Sequence, residues 1–482
     1  MIEGVKVAQN TVIQIVGKAI SIILGMITLG IMTRYLGQEG YGQYITILVF
    51  LQFFGIIMDL GLYLTLVREM SANPQQESKI FNNIYTLRII TSLLILSLAP
   101  IVVLFMPYPQ IVKLGVIITT LTYFFNSLVQ ILTSLFQRRL AMGKVMTSEI
   151  IGRLAHLATI IVIISLSGGL LMILLGNIIN TLVYFIALYF FARRFIKINF
   201  SFDFSLWLNV LKKTWPIAVG IFFNLIYFKA DTLILSFLKP AGDVGIYGAP
   251  YKFLEILTTL PHMFLGLILP LMATAWTSKK TKEFKELFQI CFDLFVIIGI
   301  PMIAGGLIIG TPLITFFAGN EFLSSGPVLK ILIIATVLIF FGTLFNYIII
   351  AIDKQKRLLK YFIATSILSV IGYLVFIPPY SYFGAAWVTV AGEAFIALMS
   401  FFLGYRLTKI GLSLKIFYKI LPATLVMASL LYLLRNFQVV AVTLVSIAFY
   451  IVLLIGFRAI KTDFLKQIFK RTDKQENQMI NN

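Results

Sequence analysis

FFARRFIKINFSFDFSLWLNVLKKTW, residues 190–215, places Arg193, Arg194, Lys197, Lys212 and Lys213 between two long apolar runs. The same arrangement recurs along the chain. Arg138, Arg139 and Lys144 fill an earlier loop. Lys279, Lys280, Lys282 and Lys285 fill a later one, followed by Lys354, Lys356, Arg357 and Lys360, and then by Arg406, Lys409 and Lys415. The loops between these carry almost no cations. Cationic loops on one side of alternating apolar spans are the positive-inside bias, which marks a polytopic inner-membrane protein and orients each span.

Composition agrees. The 482 residues are 60% hydrophobic and 12% charged, with a mean hydropathy of +0.98. Soluble domains are roughly 45–50% apolar and about 25% charged, so lipid must face much of this surface. The net charge of +20 therefore points to anionic headgroups and not to nucleic acid. Cys291 is the single cysteine, and His156 and His262 are far apart, so neither a disulfide framework nor a zinc spacing is present. No P-loop, Asp-x-Asp pair or Ser/His/Asp arrangement is found. The expectation is a protein that is not an enzyme and needs no cofactor.

The apolar runs predict spans near 11–33, 41–66, 84–106, 111–136, 147–167 and 169–192. A second set falls near 214–238, 248–276, 288–318, 325–352, 361–379 and 382–405, and a final pair near 417–435 and 437–459. That is about 14 helices, each long enough for a hydrocarbon core of roughly 30 Å. Lys18 interrupts the first run, which predicts a retained span and not a cleaved signal. An even number of spans places both termini in the cytoplasm, in keeping with the cationic tail of Lys466, Lys470, Arg471 and Lys474. Phe204, Trp207, Leu208 and Leu211, and Phe464, Leu465, Ile468 and Phe469 in the tail, predict two helices lying in the headgroup plane.

The halves resemble each other. RYLGQEGYGQY, Arg34 to Tyr44, and FLKPAGDVGIYGAPY, Phe237 to Tyr251, each follow an apolar span with a Gly-containing turn and a Tyr-Gly pair. Tyr41-Gly42 matches Tyr247-Gly248 about 206 residues on. Six spans between equivalent points make the repeat parallel. The predicted fold is an all-α polytopic membrane protein of about 14 transmembrane helices: two six-helix lobes in a parallel repeat around a central cavity, plus two C-terminal helices. The N-lobe is 1–206 (spans 1–6), the C-lobe 207–412 (spans 7–12), spans 13–14 are 413–460, and 461–482 is a basic tail.

Charges inside spans are costly and mark cavities or ion pairs. Lys18, Arg153, Lys229 and Lys252 are the candidate cavity cations. Asp59, Asp231, Glu255 and Glu393 are candidate ion-coupling residues or structural partners. Lys252 and Glu255 are spaced to pair with each other. Lys229 and Asp231, two apart, must each find a partner elsewhere. Arg68 is the nearby partner for Asp59, while Arg88 and Glu149 lie close enough to the cytoplasmic interface to snorkel.

Thr33-Arg34-Tyr35-Leu36-Gly37, Gly40-Tyr41-Gly42-Gln43-Tyr44, Asp59-Leu60-Gly61-Leu62 and Arg68-Glu69 occur in that order across the first two spans. This pattern resembles the polysaccharide transporter branch, with its O-antigen and teichoic-acid-type flippases, of the multidrug/oligosaccharidyl-lipid/polysaccharide (MOP) exporter superfamily. The resemblance implies flipping of an undecaprenyl-pyrophosphate-linked oligosaccharide across the inner membrane by alternating access, for cell-surface polysaccharide biosynthesis. It implies membrane lipids and polymerase or chain-length proteins as partners. It also implies that Lys18, Arg34 and Lys229 meet the pyrophosphate or acidic sugars. Two rivals stand beside it. A cation-coupled multidrug-type exporter shares about 12 spans but not the final pair. A membrane-embedded polysaccharide polymerase or ligase would carry a long external loop with paired Arg or His residues, which is not seen here.

Overall fold

Gly37 folds the first apolar stretch into two spans. In the computed structural model, which describes residues 2–59 and 61–459, α1 (Ile2–Asp59) is 58 residues long and kinks at Gly37, where φ is 65° and ψ is −174°. A side chain there would strain the backbone, whereas glycine visits this region freely. α11 (Leu359–Thr408) folds in the same way at Ser381 (φ 48°), just after Pro378-Pro379. The second span is interrupted once more at Gly61 (φ 72°) and continues as α2 (Leu62–Ala72).

The remaining helices follow in order: α3 (Glu77–Leu104), α4 (Gln110–Arg138), α5 (Met142–Ser165), α6 (Leu170–Ala192), α7 (Phe204–Leu238), α8 (Ala241–Thr277), α9 (Thr281–Ala318), α10 (Ser325–Ala351), α12 (Phe417–Leu433) and α13 (Val439–Gly456). Among the described residues, counting α1 and α11 as two segments each, and α2 as the end of the second, gives 14 helical segments, the number predicted from the apolar runs. The protein is thus an all-helical, multi-pass membrane protein. The tail 461–482, with its predicted second interfacial helix, lies outside the described residues.

The chain divides into two compact units between Leu225 and Ile226, inside α7. In the first, α1 packs on α4 and α5, and α6 packs on α4 and α5. In the second, α10 is the central helix, enclosed by α8, α9 and α11. α12 and α13 pack on α9, through Leu431, Val439 and Val442 against Ile309 and through the Tyr450 hydroxyl, which donates to the Ile297 carbonyl at 3.0 Å. Matching features recur in the two units. Tyr41 and Tyr247 are both fully buried. Left-handed residues end corresponding spans at Leu140 and Asp353, and at Ser167 and Ser381. These pairs share nearly the offset of the two Tyr-Gly motifs.

The segment joining α6 to α7 is stapled to α3 by side chains. Asn82 Nδ2 donates to the Lys197 carbonyl (3.1 Å), and Asn82 Oδ1 accepts from the Asn199 amide (3.2 Å). Thr86 Oγ1 accepts from the Ser201 amide (3.0 Å). Asn83 accepts from the Asp203 amide (2.8 Å) and donates to Ser201 Oγ (2.8 Å). Side chains thus satisfy one edge of an extended strap that no neighbouring strand covers. At its end Asp203 caps α7 by accepting from the Leu206 amide (3.0 Å) and pairs with Lys79 (2.9 Å), and these contacts hold its carboxyl below the usual range. Phe200, Phe202, Phe204 and Leu208 face outward. Trp207, expected among them, instead turns inward, because its indole N–H reaches the Asn83 carbonyl (3.1 Å).

Asn83→Ala should therefore lower the thermal midpoint of the purified protein in detergent. Each buried group left without a partner costs about 1–3 kcal/mol. Gln75→Ala, at an exposed position, should leave the midpoint unchanged.

Candidate functional site

The first unit contains a cavity of about 520 Å3. Its walls come from four helical regions. α5 contributes Glu149 and Arg153, one turn apart. α4 contributes Asn126, Gln130 and Thr133, spaced at i, i+4 and i+7 on one face. α6 contributes Asn180, Thr181 and Tyr184. Asp59 and Tyr63 lie on either side of the Gly61 break. Polar residues at helical spacing inside an apolar span turn that face toward water. Gly152 sets the approach of α5 to α6: a Cβ there would sit 2.8 Å from the Asn180 carbonyl oxygen. Any larger residue would push α5 away from α6.

Glu149 is the charge centre of this cavity. One carboxylate oxygen accepts from Ser21 Oγ (2.6 Å) and from Lys18 Nζ (3.3 Å), and lies 4.0 Å from the Arg153 guanidinium. Lys18 has no acidic residue within reach on its own helix. Its partner comes from α5. Lys18 and Arg153 keep 39% and 36% of their side-chain surface exposed, and Arg153 lines the cavity.

Asp59 pairs with Arg88 (3.0 Å), not with Arg68. Arg88 is fully buried, contrary to the expectation that it snorkels. It donates to the Met58 carbonyl (2.9 Å) and to Gln130 Oε1 (2.6 Å). Met58 lies in the last turn of α1, whose carbonyls have no partner within the helix, so the guanidinium caps that end.

The second unit places Lys229, Lys252 and Glu255 together. Lys229 is 9% exposed, pairs with Glu255 and lies 4.6 Å from the centre of the Tyr251 ring. Lys252 meets the other Glu255 oxygen at 2.6 Å, the pairing that its spacing predicts. Asp231 is buried among hydroxyls. It accepts from Tyr247 (2.6 Å) and from Thr232 Oγ1 (3.0 Å), and Thr389 lies 3.2 Å from both the Tyr247 and the Tyr373 hydroxyls. Glu393 is also buried. Arg34 is exposed, three residues before the Gly37 kink, and does not line the first-unit cavity.

Of the candidate residues, Arg153 and Asp59 line the cavity and Lys18 adjoins it through Glu149. Asn126, Gln130, Asn180 and Tyr184 do not carry charge, so a search for intramembrane charges passes over them. Their helical spacing on spans 4 and 6 is the signal that reveals them.

Similarity to known proteins bears on the fold and the family. The model of a family described as polysaccharide biosynthesis protein matches residues 7–276, and one described as MatE matches residues 216–375. A capsular polysaccharide biosynthesis protein, CapF, of Staphylococcus aureus is 22% identical over 294 residues, which are 60% of this chain and 74% of CapF. The lipid II flippase MurJ in an inward closed conformation superposes with a TM-score of 0.77 at 16% identity, covering 92% of this chain and 98% of that one. An inward-facing multidrug resistance MATE family transporter of the MOP superfamily superposes at 0.67 and 13% identity, covering 82% and 98%. At these identities the superpositions establish a shared fold.

Proposed function

Because the chain belongs to the polysaccharide biosynthesis protein family, we propose that it flips an undecaprenyl-pyrophosphate-linked oligosaccharide across the inner membrane by alternating access, supplying cell-surface polysaccharide synthesis. The observation that carries this reading is the polar, charge-bearing cavity of about 520 Å3 inside an otherwise apolar helical unit. A lipid-linked glycan has a large polar head that needs a hydrated path and a tail that stays in lipid. The fold shared with a lipid II flippase and the relative named for capsular polysaccharide support a cargo of this kind. In this reading Lys18 and Arg153 meet the diphosphate, for which charge-assisted hydrogen bonds are the strongest recognition available. Glu149 is their counter-anion while the site is empty. Lys229 and Lys252 form a second cationic cluster, joined by Glu255, for the same group. The basic loops and both termini face the cytoplasm.

The second reading is a cation-coupled multidrug-type exporter, favoured by the MatE match over residues 216–375. Deleting the gene separates the two. The flippase reading expects loss of surface polysaccharide, accumulation of lipid-linked oligosaccharide in the inner leaflet, and restoration by the intact gene. Unchanged surface polysaccharide together with greater sensitivity to cationic drugs would favour the exporter.

A further inference from the structure

We propose that the first-unit cavity is a sugar subsite, which reads a neutral hexose or N-acetylhexosamine of the cargo through the amide stripe of α4 and α6. The inference rests on the flippase reading and adds to it the group that this cavity recognises.

The lining is the first ground. Amides, hydroxyls and tyrosines outnumber charged groups. Those present, Asp59, Glu149 and Arg153, include more carboxylates than cations. Asp59 already holds Arg88 at 3.0 Å, and Glu149 already draws Lys18 and Arg153. With those charges paired while the site is empty, most of the remaining polar lining is amide and hydroxyl, which suits a cargo group that offers many hydroxyl donors and acceptors.

The second ground is the unused hydrogen-bonding capacity. Among the described residues, the side-chain amides of Asn126 and Asn180 have no hydrogen-bond partner in the protein, and both line the cavity. Each amide offers two donors on nitrogen and an acceptor on oxygen. That pairing spans adjacent sugar hydroxyls, one donating and one accepting. A polar group in a membrane span is costly unless water or a ligand satisfies it, so two such amides facing one cavity mark a place where a ligand can replace water.

The third ground is shape. Tyr184 on α6 and Tyr63 beyond the Gly61 break supply ring surface beside these amides. A ring with an apolar face and a polar tip fits the mixed surface of a pyranose. The volume lies within the roughly 300–1,000 Å3 of small-molecule pockets. Arg153, at the cavity wall and 4.0 Å from Glu149, is the lining's cation for the diphosphate that follows the first sugar.

The test is equilibrium binding to the full chain in nanodiscs. Three probes are used: undecaprenyl pyrophosphate alone, and the same lipid bearing one glucose or one N-acetylglucosamine. We expect at least one glycosylated probe to bind about tenfold more tightly than the bare lipid. An Asn126→Ala, Asn180→Ala variant should lose that increment and keep the affinity for the bare lipid, which also shows that it is folded. Equal affinity for all three probes would overturn the sugar subsite and leave the flippase reading standing. So would a variant that keeps the increment, or one that weakens all three equally. Failure of the native chain to bind any of the three would overturn the flippase reading and this subsite with it.

Discussion

Arg88→Ala should remove most of the folded protein. The guanidinium is fully buried and makes three connections: to the Met58 carbonyl at the end of the α1 helix, to Gln130 on α4, and to Asp59. Truncation leaves the Asp59 carboxylate without its cation and the end of α1 without its cap. Removing one partner of a buried pair costs about 3–5 kcal/mol, a large share of the roughly 5–15 kcal/mol that holds a domain together. Abundance in the membrane and thermal midpoint in detergent measure the effect. Arg88→Leu combined with Asp59→Leu should recover much of the abundance, because no unpaired charge remains. Normal abundance of Arg88→Ala would show that the pair contributes little to folding.

Arg153→Ala and Lys18→Ala should do the opposite. Both side chains are more than a third exposed, and their shared partner Glu149 keeps a hydrogen bond from Ser21 at 2.6 Å. Pairs this exposed contribute about 0–1 kcal/mol to stability, so abundance should stay near wild type. Polymer export should nonetheless fall. A charge-assisted hydrogen bond to a diphosphate contributes about 1.5–3 kcal/mol, which is roughly ten- to a hundredfold in transport rate per cation. Lys18→Arg should restore part of the loss, since it keeps the charge and the reach. Export at wild-type rates by the Lys18→Ala, Arg153→Ala variant would remove the proposed diphosphate contact.

How much of this was legible in the sequence follows from the physics of each feature. The spans and their alternation are written in composition, because lipid imposes apolar runs of fixed length. The Gly37 turn and the buried Tyr41 and Tyr247 were visible as a repeated Gly-Tyr-Gly pattern. Local pairs such as Lys252 with Glu255 follow from helical spacing. Partners on different helices do not. Lys18 meets Glu149 across 131 positions, and Asp59 prefers Arg88 to the closer Arg68 because α3 packs beside the end of α1. Arg88 was expected at an interface, since linear position gives depth along the membrane but not which side of a helix is enclosed. The strap on Asn82, Asn83 and Thr86 was hidden for a related reason: it joins α3 to a segment more than a hundred positions away. The amide stripe on α4 was readable as spacing, but uncharged residues draw no notice in a scan for buried charge.

Translocation of a lipid-linked glycan can be followed in liposomes that hold the purified chain and no other protein. Undecaprenyl-pyrophosphoryl oligosaccharide with a labelled sugar is placed in one leaflet. Its arrival in the other is followed by the loss of label to an impermeant glycosidase. Translocation is expected well above protein-free liposomes, with its loss in the Lys18→Ala, Arg153→Ala variant reconstituted to the same density. Label that stays in its leaflet at the protein-free rate, while the same liposomes export a cationic drug down an ion gradient, would contradict it.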